Sequence, residues 1–121
     1  MEKIIRGEVV GGNKIGRRLG FPTANIRVDE SLEAANGVYR ARVEAAGRTW
    51  DAVVNLGRKP SVAGSGARVL EANLIGFEGD LYGQTIAVEL LEFIRPERRF
   101  DSFEALRSQI ALDRETVMKK L

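Results

Sequence analysis

The chain has 121 residues with a formal net charge of +2, and it contains neither cysteine nor histidine. These absences exclude disulfides, zinc sites built on thiolate or imidazole ligands, and catalytic triads that use histidine. Any proton transfer must therefore use a carboxylate, Lys or Tyr. The near balance of 19 cations and 17 anions argues against nucleic-acid binding by bulk electrostatics.

No apolar run approaches the roughly 20 residues that span a membrane, so we expect no membrane partner. The absence of cysteine fits a reducing compartment, and we expect a cytoplasmic protein. We predict a single domain over residues 1–121, with a barrel over about 1–95 and a helix over about 101–121.

Six strands and one helix are predicted from hydrophobic periodicity and turn signals. Loops are predicted over 29–37 and 57–66, since Asn-Gly closes the first and the second is rich in Gly, Ser and Pro. In chain order, the predicted strands cover 4–10, 23–28, 39–45, 50–56, 69–75 and 84–94. Short connections and one terminal helix favour a closed antiparallel barrel.

Alternation of apolar and polar residues gives the orientation of two central strands. Tyr39 begins an apolar face on the third strand, which forms a hairpin with the fourth, and we expect Tyr39 and Trp50 in the core. On the fifth strand, Glu71 and Asn73 lie opposite an apolar face. The helix is predicted to begin with a capping box of Asp101 and Glu104. Its apolar face comprises Phe103, Leu106, Ile110, Val117 and Leu121.

Residues 11–20 contain four glycines and three cations. Glycine lets backbone N–H groups approach an anion closely, so this segment can hold phosphate groups. It is not a P-loop, because Arg17-Arg18 stands where that motif has Lys followed by Ser or Thr. A solvated turn is the alternative interpretation.

Thr23 and Asn25 follow the glycine-rich segment and are two residues apart, so on a strand their oxygens point to one side. Neutral oxygen ligands suit a hard cation such as Mg²⁺. Glu71 is the best candidate for a general base, because it stands among apolar residues of its strand. The alternative is that Glu71 faces solvent and pairs with a neighbouring arginine.

A second basic cluster comprises Arg95, Arg98 and Arg99, and Phe100 follows it. Cations beside an aromatic ring can hold a flat ligand and its phosphate. A solvated connection is the alternative here too. Tyr82 lies in a turn, where it can either face solvent or contact a ligand.

Several motifs together resemble the riboflavin kinases, and the likeness covers essentially the whole chain. The first is Gly16-Arg17-x-Leu19-Gly20-x-Pro22-Thr23-Ala24-Asn25. The family's order continues with Gly37-Val38-Tyr39, Asn55-Leu56-Gly57, Glu71, Asp80-Leu81-Tyr82-Gly83, Arg95-Pro96-Glu97 and Phe100-Asp101-Ser102. Departures are Lys59-Pro60-Ser61 where the family usually has Arg-Pro-Thr, and Asn73 with Gly76 where it often has His or Asp.

The resemblance implies a six-stranded Greek-key barrel that uses MgATP to phosphorylate the ribityl 5′-hydroxyl of riboflavin, giving FMN and ADP. It implies that Glu71 is the catalytic base and that Thr23 and Asn25 bind Mg²⁺. The implied nucleotide-binding residues are Gly11, Gly12, Arg17, Thr23, Asn25, Leu74 and Tyr82. The implied flavin-binding residues are Arg95, Arg98 and Phe100.

Two other functions remain as alternatives, and one partner stays open. The alternatives are a small basic barrel that binds single-stranded nucleic acid and a flavin-binding barrel without catalysis. The open partner is an adenylyltransferase domain, since in many bacteria the resembling domain is the C-terminal half of a bifunctional FAD synthetase.

Overall fold

Antiparallel strands close into a barrel, and a helix follows the last strand. The computed structural model describes residues 3–10, 23–58, 67–98 and 100–120. Within this part of the chain, the elements are β1 (Lys3–Val10), β2 (Ala24–Arg27), β3 (Gly37–Ala45), β4 (Arg48–Arg58), β5 (Arg68–Leu74), β6 (Thr85–Arg95) and α1 (Phe103–Met118). The predicted six-stranded antiparallel barrel with a C-terminal helix is confirmed.

The strand order around the barrel is β1-β2-β5-β4-β3-β6. Strands β3, β4 and β5 are successive neighbours, and β2 lies beside β5 rather than beside β3. This arrangement is a Greek key. The strand boundaries differ from the predicted ones by at most two residues. The largest extension is in β4, which begins at Arg48 and continues through Gly57 and Arg58, and the rest of the predicted loop over 57–66 lies outside the described residues.

The barrel interior is filled by alternate residues of every strand, as the period of two requires. Tyr39 is buried as predicted, whereas Trp50 is only partly buried and packs on the rim of the core. The largest fully buried side chains of the strands are Ile26, Val38, Val43, Val54, Leu56, Leu70, Ile86 and Val88. Nearly all of them share one core cluster, whereas Val38 lies outside it.

A buried arginine holds the β2–β3 connection over one end of the barrel. Arg68 donates from Nε to Asn36 Oδ1 at 3.0 Å and from Nη1 to the Leu32 carbonyl at 2.8 Å, and its Nη2 donates to the Ala34 carbonyl. Leu32 and Ala34 pack against the core cluster. The connection is a loop as predicted, and the planar guanidinium fork fixes it through three acceptors.

The helix begins one residue later than the predicted capping box requires. Ser102 is the N-cap, and its side chain accepts a hydrogen bond from the Ala105 N–H at 3.0 Å. The predicted pair of Asp101 and Glu104 is therefore wrong, because a serine hydroxyl one position later takes the capping role. Val117 is buried on the predicted apolar face of the helix.

The β3–β4 hairpin closes through a two-residue turn with positive φ at both positions. Ala45 pairs with Arg48, and the turn residues Ala46 and Gly47 have φ values of 52° and 74°. Two positive φ angles are typical of the type I′ turns that match the twist of a hairpin. Alanine is poorly suited to this region because its Cβ crowds the backbone.

We predict that Ala46→Asn raises the free energy of unfolding by about 1 kcal/mol, since asparagine tolerates this conformation. The melting temperature should rise by about 4 °C in a thermal scan. Gly47→Ala is the matched control with the opposite sign. A Cβ there meets nothing within 4 Å, so its destabilisation would be purely conformational. A less stable Ala46→Asn variant would contradict the prediction.

Candidate active site

Three polar residues lie side by side on the outside of the barrel, and we call them the polar row. Asn25 of β2 is the cross-strand partner of Glu71 of β5, and Glu71 is also the partner of Asn55 of β4. Directly paired residues on antiparallel strands share a face and have Cβ atoms about 5 Å apart. The fold therefore places one carboxylate between two amides.

The polar row faces outwards because the residues on either side of each member are buried. All three members are partly exposed. Their buried chain neighbours are Ala24 and Ile26 on β2, Leu70 and Ala72 on β5, and Val54 and Leu56 on β4. Turning the row inwards would bury a charge and two amides among aliphatic side chains, at a large cost in free energy.

Thr23, the other predicted cation ligand, is partly buried and immediately precedes β2, two residues before Asn25. Asn25 also pairs with Val10, the last residue of β1. The glycine-rich segment connects these two strands, and Val10 and Thr23, the described residues nearest to it on either side, are the paired partner of Asn25 and the residue two positions before it. The predicted nucleotide-binding residues Gly11, Gly12 and Arg17 lie outside the described residues.

Asn55 was not singled out by the sequence analysis as a site residue. Its Oδ1 atom is buried, and no donor within the described ranges forms a hydrogen bond to it. A buried amide oxygen beside a carboxylate is suited to accept a hydrogen bond from a ligand hydroxyl. The signal in the sequence was the Asn-Leu-Gly motif, but only the β4–β5 register connects it to Glu71.

The other two predicted nucleotide-binding residues, Leu74 and Tyr82, differ in their exposure to solvent. Leu74 is buried and belongs to the core cluster of the barrel. Tyr82 is 67% exposed in the turn before β6, and its N–H donates to Asp80 Oδ1 at 2.8 Å. Of these two residues, only Tyr82 displays its side chain to solvent.

The predicted flavin contacts are Arg95, the last residue of β6, and Arg98 and Phe100 in the segment that follows, and side-chain contacts link this region to α1. Arg95 donates from Nε and Nη2 to the two carboxylate oxygens of Asp113, at 3.0 and 2.8 Å. The guanidinium carbons of Arg95 and Arg98 lie 6.0 and 5.4 Å from the ring centroid of Phe100. The predicted cation–aromatic cluster is thus present, but Arg95 is not the solvated cation of the alternative interpretation.

Glu97 contacts β4 in this same region. A Cβ added to Gly57 would lie 1.8 Å from Glu97 Oε1, so the Glu97 carboxylate occupies the space above the glycine. Gly57 lies on the same strand as Asn55, two residues further on and therefore on the same face. The glycine thus brings the segment after β6 close to the polar row.

The end of α1 is held to the barrel by a further ion pair. Lys120 Nζ lies 2.8 Å from Glu92 Oε2, and this hydrogen bond lowers the pKa of the Glu92 carboxyl. On β3, burial raises the pKa of the Tyr39 hydroxyl. No helix within the described ranges is long and apolar enough to cross a membrane.

The described part of the chain is thus a closed Greek-key barrel that carries the polar row on its outside and a cation–aromatic cluster after its last strand. The flavokinase model, described as riboflavin kinase, matches residues 2–121. The chain belongs to the riboflavin kinase family.

Among characterised relatives, the chain resembles two bifunctional enzymes described as riboflavin kinase/FMN adenylyltransferase. It is 41% identical to the one from Pseudomonas fluorescens, over 90% of this chain and 35% of the relative. It is 42% identical to the one from Haemophilus influenzae, over 93% of this chain and 36% of the relative. The chain therefore spans about a third of the length of these relatives.

Solved structures share the fold, among them the following two. One, described as a macrolide-efflux protein from Streptococcus pneumoniae, has a TM-score of 0.83 and 37% identity, with coverage of 95% of this chain and 38% of that one. The other is riboflavin kinase from Trypanosoma brucei, with a TM-score of 0.70 and 24% identity over 99% of this chain and 80% of that one.

We predict that Gly57→Ala displaces the Glu97 carboxylate while costing little stability, because the clashing atom is the end of an exposed, flexible side chain. Amide hydrogen exchange at residues 97 and 98 should become faster. In a Glu97→Ala background the same substitution should cause no further acceleration, since the two residues act through one contact. Equal acceleration in both backgrounds would contradict the prediction.

Proposed function

We propose that the chain transfers the γ-phosphoryl group of ATP to the ribityl 5′-hydroxyl of riboflavin, giving FMN and ADP. The observation that carries this proposal is the position of Glu71 between Asn25 and Asn55 in the polar row. Phosphoryl transfer needs positioned oxygen ligands, anion-binding groups and a residue that takes the proton of the nucleophile. We assign the oxygen ligands and the proton acceptor to the polar row, and the anion-binding groups to the glycine-rich segment.

In this proposal, Glu71 is the general base. Its carboxylate accepts the proton of the 5′-hydroxyl while the hydroxyl oxygen forms its bond to the γ-phosphorus. The bond from that phosphorus to the β–γ bridging oxygen breaks, and ADP leaves. Asn55 Oδ1 is placed to accept a hydrogen bond from another hydroxyl of the ribityl chain, which would orient the reacting one.

The donor atoms next to Glu71 fit a divalent cation of the Mg²⁺ type. Thr23 and Asn25 offer neutral oxygens, and within the described ranges no group of three or more His, Cys, Asp or Glu residues could hold a metal ion on its own. Mg²⁺ commonly takes few protein ligands and completes its coordination with phosphate oxygens and water. When bound, it would neutralise charge that develops on the phosphates.

We assign the other predicted ligand contacts to the two ends of the polar row, the nucleotide to one end and the flavin to the other. Gly11, Gly12 and Arg17 would hold the ATP phosphates, with Tyr82 and the rim of the barrel at Leu74 beside the nucleotide. On the other side, Arg98 and Phe100 would contact the flavin. Because Arg95 gives two guanidinium nitrogens to Asp113, its proposed contribution is to hold this flavin side in place.

The nucleic-acid alternative has little support in the described part of the chain. Its exposed large aromatic side chains are Tyr82, before β6, and Phe93, near the end of the same strand. Within β6 alone, the eight steps from Thr85 to Phe93 cover about 26 Å along an extended strand. Stacking of successive bases needs aromatic rings that are close together.

The relatives also bear on the product. Two of them combine riboflavin kinase with FMN adenylyltransferase, as their descriptions state. We propose that the FMN released by this chain can serve a linked or separate adenylyltransferase. A third relative, at 43% identity over 97% of this chain and 50% of its own length, is described as RNA-binding riboflavin kinase RibR from Bacillus subtilis.

We predict that Glu71→Gln lowers kcat for FMN formation by about 10²- to 10⁴-fold, because the amide cannot accept the proton. The KM values for riboflavin and ATP should change little, since the shape of the side chain is kept. Glu44→Gln, at an exposed position of β3, is the matched control and should behave as the wild type. Full activity of Glu71→Gln would remove this residue from the mechanism.

We predict that Asn25→Ala weakens the Mg²⁺-dependent part of ADP binding. Calorimetry should show that the ratio of ADP affinities with Mg²⁺ and with chelator falls by about tenfold. Asn25→Asp keeps an oxygen ligand and should retain the ratio. An unchanged ratio in Asn25→Ala would show that Asn25 does not act through the cation.

A further inference from the structure

Four side chains form a continuous network of hydrogen bonds that joins α1 to the last residue of β6 and to the segment that follows it. Arg95 donates twice to Asp113, at 3.0 and 2.8 Å. Gln109 Nε2 donates to Asp113 Oδ1 at 3.0 Å, and Gln109 Oε1 accepts from Arg98 Nη1 at 3.0 Å. Gln109 and Asp113 are four residues apart, so they lie one above the other on the same face of the helix.

The side chains of this network differ in how deeply they are buried. Asp113 is 6% exposed, and its bidentate contact with Arg95 is a charge-assisted pair of the strong kind. Gln109 is half-buried, and Arg98 is exposed. A buried carboxylate on the helix therefore fixes an exposed arginine through one intervening amide.

The exposed end of this network carries the proposed flavin contacts. Arg98 lies over the ring of Phe100 at 5.4 Å, so Gln109 also determines where the guanidinium stands relative to the ring. Among the described contacts of Arg98, those with Gln109 and with the Phe100 ring select one rotamer of this long side chain. Without Gln109, only the ring would remain to do so. A side chain free to move loses rotamer entropy on binding, which weakens affinity.

The network acts on one end of the site only. Along the polar row and its continuation through Val38, Arg95 is four strands away from Asn25. Neighbouring strands are about 4.8 Å apart, so the separation is about 19 Å. A change at Gln109 should therefore reach the flavin side and leave the cation and nucleotide side unaltered.

From this geometry we propose that Gln109 and Asp113 are positioning residues for riboflavin, which act by holding Arg98 and Phe100 in place for the flavin. This inference rests on the proposed function, and it assigns the helix a role in affinity for the acceptor substrate. Neither residue needs to touch the substrate, because each acts through an arginine.

The test compares Gln109→Leu with Ser108→Leu, an adjacent and exposed helix position that receives the same new side chain. Gln109→Leu should raise the KM for riboflavin by about tenfold, the value of one hydrogen bond to a charged group. The KM for ATP and the melting temperature should stay near the wild-type values. Ser108→Leu should leave both KM values unchanged.

Two further variants separate positioning from a merely structural role. Gln109→Glu retains the Oε1 acceptor for Arg98 but replaces the donor to Asp113 with a second carboxylate, so it should raise the KM for riboflavin less than Arg98→Leu does. Arg98→Leu should raise it, and adding Gln109→Leu to Arg98→Leu should cause no further rise. Should Gln109→Leu fail to fold, the Gln109→Glu and Arg98→Leu comparison still decides, since equal KM values in those two variants would overturn the proposal.

An unchanged riboflavin KM in Gln109→Leu, or an equal rise for riboflavin and ATP, would overturn this inference while leaving the proposed function intact. Failure of the proposed function has a different signature, which is absence of FMN formation by the wild type. In that event, quenching of riboflavin fluorescence measures flavin affinity directly. Equal affinity of wild type and Gln109→Leu, or no binding by the wild type, would then overturn the inference.

Discussion

The structure depends on one constraint, the register in which β5 pairs with β2 on one side and β4 on the other. That register sets Glu71 opposite Asn25 and Asn55 at once. Because side chains alternate between faces, a slip of one residue would move the carboxylate into the core and expose its aliphatic neighbours. The free energy of burying Leu70 and Ala72 therefore also keeps the polar row outside and aligned. Core packing and site geometry are fixed by the same pairing.

The second part of the site is held in a different way. The last residue of β6 and the segment that follows it are positioned by side-chain contacts to the helix and to β4. Arg95 is tied to Asp113 of the helix, and the Glu97 carboxylate lies over Gly57 of β4. A buried ion pair of this kind gives little net stability but is costly to break from one side. Its value here lies in the single geometry that it selects.

Much of the fold followed from the sequence because the relevant signals are local. Alternation on β3 and β5 gave the buried faces, and Thr23, Asn25 and Glu71 stood out by residue type and spacing. Asn55 was missed because its significance arises only from pairing between β4 and β5, which periodicity does not determine. The network through Asp113 was missed for a related reason: 18 residues separate this carboxylate from Arg95, and only the docking of the helix brings them together. The capping box failed by one position, where Ser102 competes with Asp101 on nearly equal terms.

Backbone register positions one end of the site and side-chain contacts position the other, so the two ends should respond differently to substitutions. Atoms positioned by backbone register, such as the Glu71 carboxylate, keep their place as long as the barrel is folded, so a substitution there alters chemistry more than geometry. Atoms positioned by side chains on separate elements can shift without unfolding anything, because the contacts of Arg98 are exposed and few. The end of the site proposed for proton transfer is thus rigid by topology, and the end proposed for the flavin is adjustable by the helix. Differences in flavin affinity among chains of this fold should accordingly arise at the helix face that bears Gln109 and Asp113, while the polar row stays the same.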